Sequence, residues 1–184
     1  MDKIKKLEKN KELNPLYYML LIFFIYAFIG WMLESFYAVY YTGHFVKRGF
    51  LFGPICPIYG YGAVIMVNYL KKYKNNSFKL FLYSAIVFSI LEYIAGFVLE
   101  ALFAEKWWDY TGEFFNLNGR ISIFYSFVWG IFAILFVNHF HPFIEKHLNK
   151  LLSKIPYYTQ IIVLYILTSL YIIDTVFSII KYLT

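Results

Sequence analysis

The sequence predicts an all-α fold, a polytopic bundle of about five transmembrane helices. Of its 184 residues, 61% are hydrophobic and 15% are charged, which is too apolar for an ordinary soluble domain. The apolar residues also fall into runs near the roughly 20 residues needed to cross a bilayer. These runs are about Leu16 to Tyr41, Leu51 to Leu70, Phe78 to Leu102, Ile121 to Phe140 and Tyr158 to Leu183.

The domain organisation follows from the absence of long Gly/Ser or Pro linkers and of an internal repeat. We expect one integral membrane domain over 1–184, with a short cytoplasmic segment, 1–15, before the helix bundle, 16–184. The first run is too long for a signal-peptide core of about 7–15 residues, and Pro15 suits the start of a helix.

The second run contains several residues that weaken or break a helix at its outer end. They are Gly53, Pro54, Pro57, Gly60 and Gly62. Irregular backbone at membrane depth persists only where it is buried in protein or lines a wet cavity. We therefore expect this segment to border a site; a kinked helix start without a functional role is the alternative.

The residue pattern of the segment 141–157 predicts a helix that differs from the spanning helices. Its apolar residues recur at helical spacing, and lysines occupy another face. The apolar set is Ile144, Leu148, Leu151 and Ile155; the lysines are Lys146, Lys150 and Lys154. This pattern favours an interfacial helix near 141–157 on the inner leaflet, or a solvated connector whose stripe faces the core.

The basic residues predict the orientation, because they accumulate in short cytoplasmic loops. With the N-terminus inside and the C-terminus outside, twelve of the 17 basic residues are cytoplasmic: Lys3, Lys5, Lys6, Lys9, Lys11, Lys71, Lys72, Lys74, Lys79, Lys146, Lys150 and Lys154. The external set is Lys47, Arg48, Lys106, Arg120 and Lys181. The lysines behind the net charge of +6 lie in short loops between apolar runs and form no basic domain. We therefore interpret them as topology signals of a multi-pass protein of the cell membrane, in contact with the lipid bilayer, and expect no nucleic-acid partner.

The candidate site rests on charged residues in or beside the apolar runs. A charge at the centre of a membrane helix costs about 2.5–3.5 kcal/mol, so an intramembrane carboxylate needs a partner. Arginine is well suited, because its planar fork holds carboxylate or phosphate and stays protonated. The chain has two arginines, Arg48 and Arg120, and its intramembrane acids are Glu34, Glu92, Glu100 and Asp174. We predict that both arginines engage a carboxylate or an anionic ligand in one outward-facing cavity.

Glu92, Gly96 and Glu100 are spaced by four and follow one helix face, where Gly96 permits close approach. The glutamates Glu34, Glu92 and Glu100 are candidates for proton exchange or for general acid–base catalysis. The alternative is a set of structural Arg–carboxylate pairs that fixes helix packing.

Aromatic and polar residues after the third run suggest two roles. Trp107, Trp108 and Tyr110 are suited to anchor a helix at the headgroup layer. The same segment could instead form a polar rim or lid over the cavity. We take Arg48, Arg120, Tyr59, Asp109, Asn116 and Trp108 as candidate ligand-binding residues.

Several chemistries are not supported by the sequence. A single cysteine, Cys56, excludes an internal disulfide and a cysteine-based metal cluster, and the pair His139 and His141 lacks a supporting carboxylate. There is no P-loop, no H-E-x-x-H and no G-x-S-x-G. We therefore expect no metal and no cofactor, and any ATP hydrolysis would require a separate ATPase.

The polar and glycine motifs together resemble one known family. They are Gly30-Trp31 with Glu34; Arg48-Gly49-Phe50-Leu51 with Gly53-Pro54; Pro57-Ile58-Tyr59-Gly60 and Gly62; Glu92-Tyr93, Gly96 and Glu100; Trp107-Trp108-Asp109-Tyr110; Phe115-Asn116; Gly119-Arg120-Ile121; and Ser126 with Trp129-Gly130. In this order they resemble the putative ABC-transporter type IV family, the CmpB-like membrane proteins. Lys47 departs from the pattern, which favours asparagine before the arginine.

The resemblance implies a membrane protein with a transport-related role and specifies no substrate. Our first hypothesis is a permease-like subunit for a small polar or amphipathic solute, driven by a separate ATPase or an ion gradient. The second is a membrane-embedded enzyme acting on lipid or lipid-linked headgroups, and the third is a non-catalytic scaffold for another membrane subunit. An enzyme and a non-enzyme are both consistent with these residues.

Overall fold

The computed structural model describes residues 2, 5, 6 and 14–184 and confirms the all-α fold. Of the predicted cytoplasmic segment, Lys3, Lys9 and Lys11 lie outside the described residues. The helices are α1 Pro15–Thr42, α2 Pro57–Ile65, α3 Ser77–Phe103, α4 Ile123–Leu135, α5 His141–Leu152 and α6 Tyr157–Leu183. Two short strands, β1 Asn116–Leu117 and β2 Ile121–Ser122, pair antiparallel before α4.

Two of the helices continue through π-helical turns. α2 passes into Met66–Leu70 and then into a 3₁₀ turn, Lys71–Tyr73. α4 passes through Phe136–Phe140 into α5. The stretch Ile123–Leu152 is therefore one helical rod of 30 residues.

Side-chain caps set where several helices begin. The amide oxygen of Asn14 accepts from Tyr17 N at 3.0 Å, and that of Asn76 accepts from Lys79 N at 2.9 Å. These bonds satisfy backbone donors that a helix N-terminus otherwise leaves without partners. α1 ends at Gly43, whose φ of 73° is readily adopted by glycine.

Four helical stretches of the described chain are long and apolar enough to cross a membrane. They are Pro15–Thr42, Ser77–Phe103, Ile123–Leu152 and Tyr157–Leu183. At 1.5 Å per residue each is about 40 Å long, which exceeds a hydrocarbon core of about 30 Å. Four of the five predicted spans are therefore continuous helices; the orientation stays a prediction.

The predicted second span has a different structure. Residues 51–56 are not helical, and the helix begins only at Pro57. Gly53 and Pro54 disfavour a helix there, and proline fits best at the first helical turn. The expected break at the outer end of this run is thus present, and the helix after it is short.

The predicted interfacial helix is the continuation of α4. Leu152 is buried in an apolar cluster and Leu148 packs against that cluster, whereas Leu151 and Ile155 are exposed. Of the predicted stripe, Leu148 therefore faces protein, as the core-facing alternative requires, whereas Leu151 and Ile155 do not. Its placement at a membrane surface remains a prediction.

The chain divides into two compact units. Unit 1 contains the described residues up to Val64 together with 143–182, and unit 2 contains 65–142. The single integral domain stays a prediction. The core of unit 1 joins α1, α5 and α6 through Tyr17, Leu21, Phe23, Phe24, Leu152 and Leu164.

Within unit 1, α2 runs antiparallel to α1. The backbone N–H of Cys56, just before α2, donates to Ala27 O in the middle of α1 at 2.9 Å. Further along α2, Gly60 lies against Phe23, and Val64 packs against the core that contains Tyr17. The loop before α2 thus reaches the mid-height of α1, and α2 runs back toward the N-terminal end of α1.

In unit 2, α3 and α4 form an antiparallel pair. Gly130 lets the ring of Phe81 pack onto α4, where a Cβ would lie 2.5 Å from the ring. Closer to the connecting loop, the hydroxyls of Ser89 and Ser126 lie 2.6 Å apart. Residues 104–122 join the helices as a folded loop that contains the short β hairpin.

Candidate functional site

Glu34 is the centre of a polar cluster in unit 1. Its Oε1 accepts a hydrogen bond from the hydroxyl of Tyr59 at 2.5 Å, and its Oε2 lies 3.5 Å from Nη2 of Arg48. The side chains of Arg48 and Glu34 are 40% and 32% exposed. The pair is therefore loose and open to an outside ligand.

Glycines bring these groups together. Gly30 lies one helical turn before Glu34, and the ring of Tyr59 fills the place of its missing side chain; a Cβ there would be 2.3 Å from the ring. Gly49 follows Arg48 with a φ of 87°, which L side chains rarely adopt. The turn at Gly49 brings it against the buried Cys56 of the same loop.

Asp174 does not join this cluster and has a structural role. Its two oxygens accept the backbone N–H groups of Phe52 at 2.8 Å and of Gly53 at 2.7 Å, and Ser178 donates to Oδ1 at 3.1 Å. The carboxylate on α6 therefore holds the irregular loop that precedes α2. We call this contact the Asp174 clip.

Glu92 is the deepest carboxylate of unit 2, with 6% of the residue exposed. Its Oε1 accepts from the hydroxyl of Tyr110 at 2.8 Å, and its Oε2 accepts from the indole N–H of Trp129 at 3.1 Å. The Tyr110 ring stacks on Tyr125 with centroids 4.3 Å apart. Two neutral donors, one from the loop and one from α4, thus hold the buried carboxylate.

Arg120 pairs with Glu100 two helical turns further along α3. Nε and Nη2 donate to Oε2 of Glu100 at 3.1 and 2.8 Å, and the guanidinium lies 5.4 Å from the ring centroids of both Tyr93 and Phe97. The arginine side chain is 16% exposed. Ion pairing and cation–π contacts therefore hold this guanidinium on the α3 face.

Gly96 makes room for Arg120 and Trp108. A Cβ at this glycine would lie 3.2 Å from the Trp108 ring and 3.4 Å from Cγ of Arg120. The indole N–H of Trp108 donates to the backbone oxygen of Arg120 at 2.9 Å. Trp108 therefore packs on α3 and positions the arginine backbone.

Asp109 and Asn116 organise the loop from within. Asp109 accepts from Thr111, through its backbone and its hydroxyl, and from Lys106 Nζ at 3.1 Å. Asn116 donates to two loop carbonyls and accepts from Gly119 N at 3.1 Å. These bonds fold the loop that carries Tyr110 and Arg120 to α3.

The charge state of Asp109 follows from these donors. The Thr111 hydroxyl, the Thr111 backbone N–H and Lys106 lower the pKa of Asp109 to about 2. The side chain lies at an exposed position, so its hydrogen bonds rather than burial set this pKa. Asp109 is therefore ionised at neutral pH and acts as an acceptor only.

The sequence-predicted residues fall into two sets. Glu34, Arg48 and Tyr59 meet in unit 1. Glu92, Glu100, Arg120, Trp108, Asp109 and Asn116 belong to unit 2. Because the two arginines lie in different units, the single shared cavity stays a prediction.

Sequence reasoning missed the two donors to Glu92. Tyr110 had been assigned to the headgroup layer and Trp129 had no assigned role. The available signal was chemical: an indole N–H within an apolar helix needs an acceptor, and Glu92 is a carboxylate on another apolar helix. Within the described part of the chain, no group of three or more His, Cys, Asp or Glu side chains is arranged to hold a metal ion.

The fold and the two clusters define a polytopic membrane protein with buried polar groups in its spanning helices. A family model described as Putative ABC-transporter type IV matches residues 21–179. The chain belongs to this family, which confirms the predicted resemblance. No curated protein and no solved structure matches the chain.

Proposed function

We propose that the chain is the permease-like membrane subunit of a transport system for a small polar or amphipathic solute, with Glu92 as its proton-exchanging group. Family membership supports a transport role. The observation that carries the proposal is the setting of Glu92, a buried carboxylate in a spanning helix held by Tyr110 and Trp129.

A neutral setting suits a group that changes its charge. No lysine or arginine of the described residues lies within ion-pair distance of Glu92, so no fixed cation holds it ionised. Hydrogen bonds from a phenol and an indole stabilise the carboxylate, whereas burial favours the protonated acid. Ionisable groups inside membrane helices commonly form proton relays, and Glu92 fits that role.

The two arginines supply recognition in this proposal. Arg48–Glu34 and Arg120–Glu100 are partly exposed ion pairs, so an anionic group of the solute can compete for either guanidinium. Arginine offers two parallel donors to phosphate or carboxylate, which lysine does not. Tyr59 lies at the first pair; Trp108, Asp109 and Asn116 hold the loop that presents the second.

The test compares three strains: one lacking the protein, one carrying the wild type and one carrying Glu92→Gln. Glutamine keeps the size of the side chain and removes proton exchange. Mass spectrometry then measures metabolites and lipids separately in the cells and in the medium. Glu105→Gln, at an exposed position in the loop after α3, is the matched control.

Transport predicts that one solute changes its distribution between cells and medium, and that Glu92→Gln reproduces the deletion although the protein is present and folded. A lipid that changes its chemical structure would instead assign an enzyme. If the metabolite and lipid profiles of the Glu92→Gln strain match those of the wild type, the result would favour a scaffold role and contradict the proposal. Co-purification of an ATP-hydrolysing subunit separates ATP-driven coupling from an ion gradient.

A further inference from the structure

A long apolar groove lies within unit 1. It has a volume of about 940 Å³ and is formed by α1, the loop residues 52–55, the end of α5 and one face of α6. Phe24, Phe28, Leu164, Leu167 and Phe177 are among its lining residues. The groove is partly open to the outside, so an apolar ligand can enter it.

The polar groups that line the groove already have partners inside the protein. Gln160 accepts from the Tyr17 hydroxyl and donates to two backbone oxygens at 2.9 Å. Tyr171 bonds the Tyr61 hydroxyl at 3.1 Å, and Asp174 forms its clip. The occupant therefore meets an apolar surface along the length of the groove.

The groove is long. Along α6 the lining extends from Gln160 to Phe177, about 26 Å at 1.5 Å per residue. An extended apolar chain can lie along this length in contact with the lining residues.

One end of the groove is positively charged. Phe52 lines this end, and the Nζ atoms of Lys47 and Lys181 lie 4.7 and 5.1 Å from its ring centroid. Burial and the nearby Lys181 lower the pKa of Lys47, and Asp174 opposes this. Two ammonium groups and one carboxylate, that of Asp174, thus meet at this end of the groove, which leaves a net positive charge.

We propose that this groove binds an anionic phospholipid, with an acyl chain between α1 and α6 and its phosphate against Lys47 and Lys181. The long apolar groove matches the acyl chain of such a lipid, and the cationic end of the groove matches its phosphate. The site lies in unit 1 and includes neither Glu92 nor either arginine.

The test uses full-length, delipidated protein in detergent micelles. It is titrated with phosphatidylglycerol and with phosphatidylcholine of the same acyl chains, and native mass spectrometry counts bound lipid. Each lysine near an anionic headgroup contributes about a fivefold change in affinity. We expect phosphatidylglycerol to bind at least about fivefold more tightly, and the double variant Lys47→Gln with Lys181→Gln to lose that preference.

Groove-filling variants test the acyl-chain part. Leu167→Trp places a bulky ring in the groove and should weaken both lipids, whereas Ile172→Trp, on the same helix but outside the lining, should bind as the wild type does. Lys150→Gln is the charge control, at an exposed position of α5. Circular dichroism checks that each variant is folded.

Four results would overturn the proposal. The first is equal affinity of the wild type for the two lipids, and the second is equal lipid binding by Leu167→Trp and Ile172→Trp. The third is a protein dimer that forms in place of the lipid complex and is lost in Leu167→Trp, which would assign the groove to a second copy. Displacement of lipid by inorganic phosphate alone would likewise refute a headgroup held together with its acyl chain.

Discussion

The described partners of Glu92, a carboxyl group in a spanning helix, are neutral. Tyr110 and Trp129 each donate to a different oxygen, so both carboxyl oxygens have partners. By contrast, the two donors of Arg120 go to one oxygen of Glu100. The two glutamates share a helix face, but the first is bonded by neutral groups and the second is ion-paired.

Loss of one donor to Glu92 should destabilise unit 2. Tyr110→Phe removes a hydrogen bond to a buried carboxylate, which costs about 1.5–3 kcal/mol. Unfolding in detergent, followed by circular dichroism, measures the change. Tyr165→Phe, at a largely exposed position of α6, is the control and should be within about 0.5 kcal/mol of the wild type.

Trp129→Phe completes a double-mutant cycle with Tyr110→Phe. Since both donors serve one carboxylate, the combined loss should differ from the sum of the single losses by at least about 0.5 kcal/mol. Strict additivity would show that the two donors act independently and would contradict the shared role drawn from the structure.

The pH dependence of the loop follows from Asp109. Its pKa in the folded protein, about 2, lies below the ordinary value of about 3.9. Its stabilising contribution is therefore complete above pH 4 and is lost as the pH falls through about 2. Carboxyl-carbon NMR of aspartate-labelled protein can follow it, because the chain has three aspartates: Asp2, Asp109 and Asp174.

Thr111→Val tests the cause of that pKa. It removes the hydroxyl donor, the largest contribution, and should move the titration midpoint of Asp109 upward toward the ordinary value. An unchanged Asp109 midpoint in Thr111→Val would assign the shift to another cause.

At the scale of elements, glycines determine which helices approach closely. Gly30 and Gly60 let α1 and α2 cross in unit 1, and Gly96 admits Trp108 and Arg120 onto α3. The sequence predicted the role of Gly96 from its position between two glutamates. The contact partner of Gly30 was not predictable, because Tyr59 reaches it only after the loop before α2 has folded back.

Gly30→Ala should disrupt the α1–α2 contact. The added Cβ would lie 2.3 Å from the Tyr59 ring, so the ring must move and its hydrogen bond to Glu34 should weaken. Overpacking of this kind costs about 1–3 kcal/mol. Thermal unfolding measures it; Gly112→Ala, with no atom within 4 Å of the added Cβ, should be nearly silent.

At the scale of the whole molecule, composition and hydropathy predicted the helices better than they predicted the contacts between side chains. Apolar runs near helix length identified four continuous helices, because crossing a bilayer constrains length and polarity strongly. The run around Leu51 to Leu70 became a loop and a short helix, since Gly53 and Pro54 outweigh its hydrophobicity. The pairing of Arg120 with Glu100 depended on a loop fold that periodicity cannot specify.

The topology of this segment can be tested directly. The Cys56–Ala27 contact places the loop before α2 at the mid-height of α1, and α2 runs on toward the α1 N-terminus. We therefore expect residues 47 and 75 to lie on opposite sides of the membrane. Single cysteines at Lys47, Asn75, Glu113 and Asn149, in a Cys56→Ser background, are labelled with an impermeant reagent.

Labelling from outside at positions 47 and 113, with protection at the exposed position 75, would support the predicted orientation. Asn149 is buried, so protection there is expected in either orientation, and only its labelling from outside would count, against the prediction. The reverse pattern would invert it. Labelling of 47 and 75 from the same side would show that the loop and α2 together do not cross, and would separate the arginines onto opposite faces.

The Asp174 clip has a consequence for biosynthesis. Its acceptor lies 121 residues after Gly53, so the loop is synthesised long before the carboxylate that holds it. At about 5–20 residues per second, the two backbone donors wait about 6–24 s for α6 to leave the ribosome. Until then they must bond water or the insertion machinery. The final shape of the first half of the protein is therefore completed only when its last helix enters the membrane.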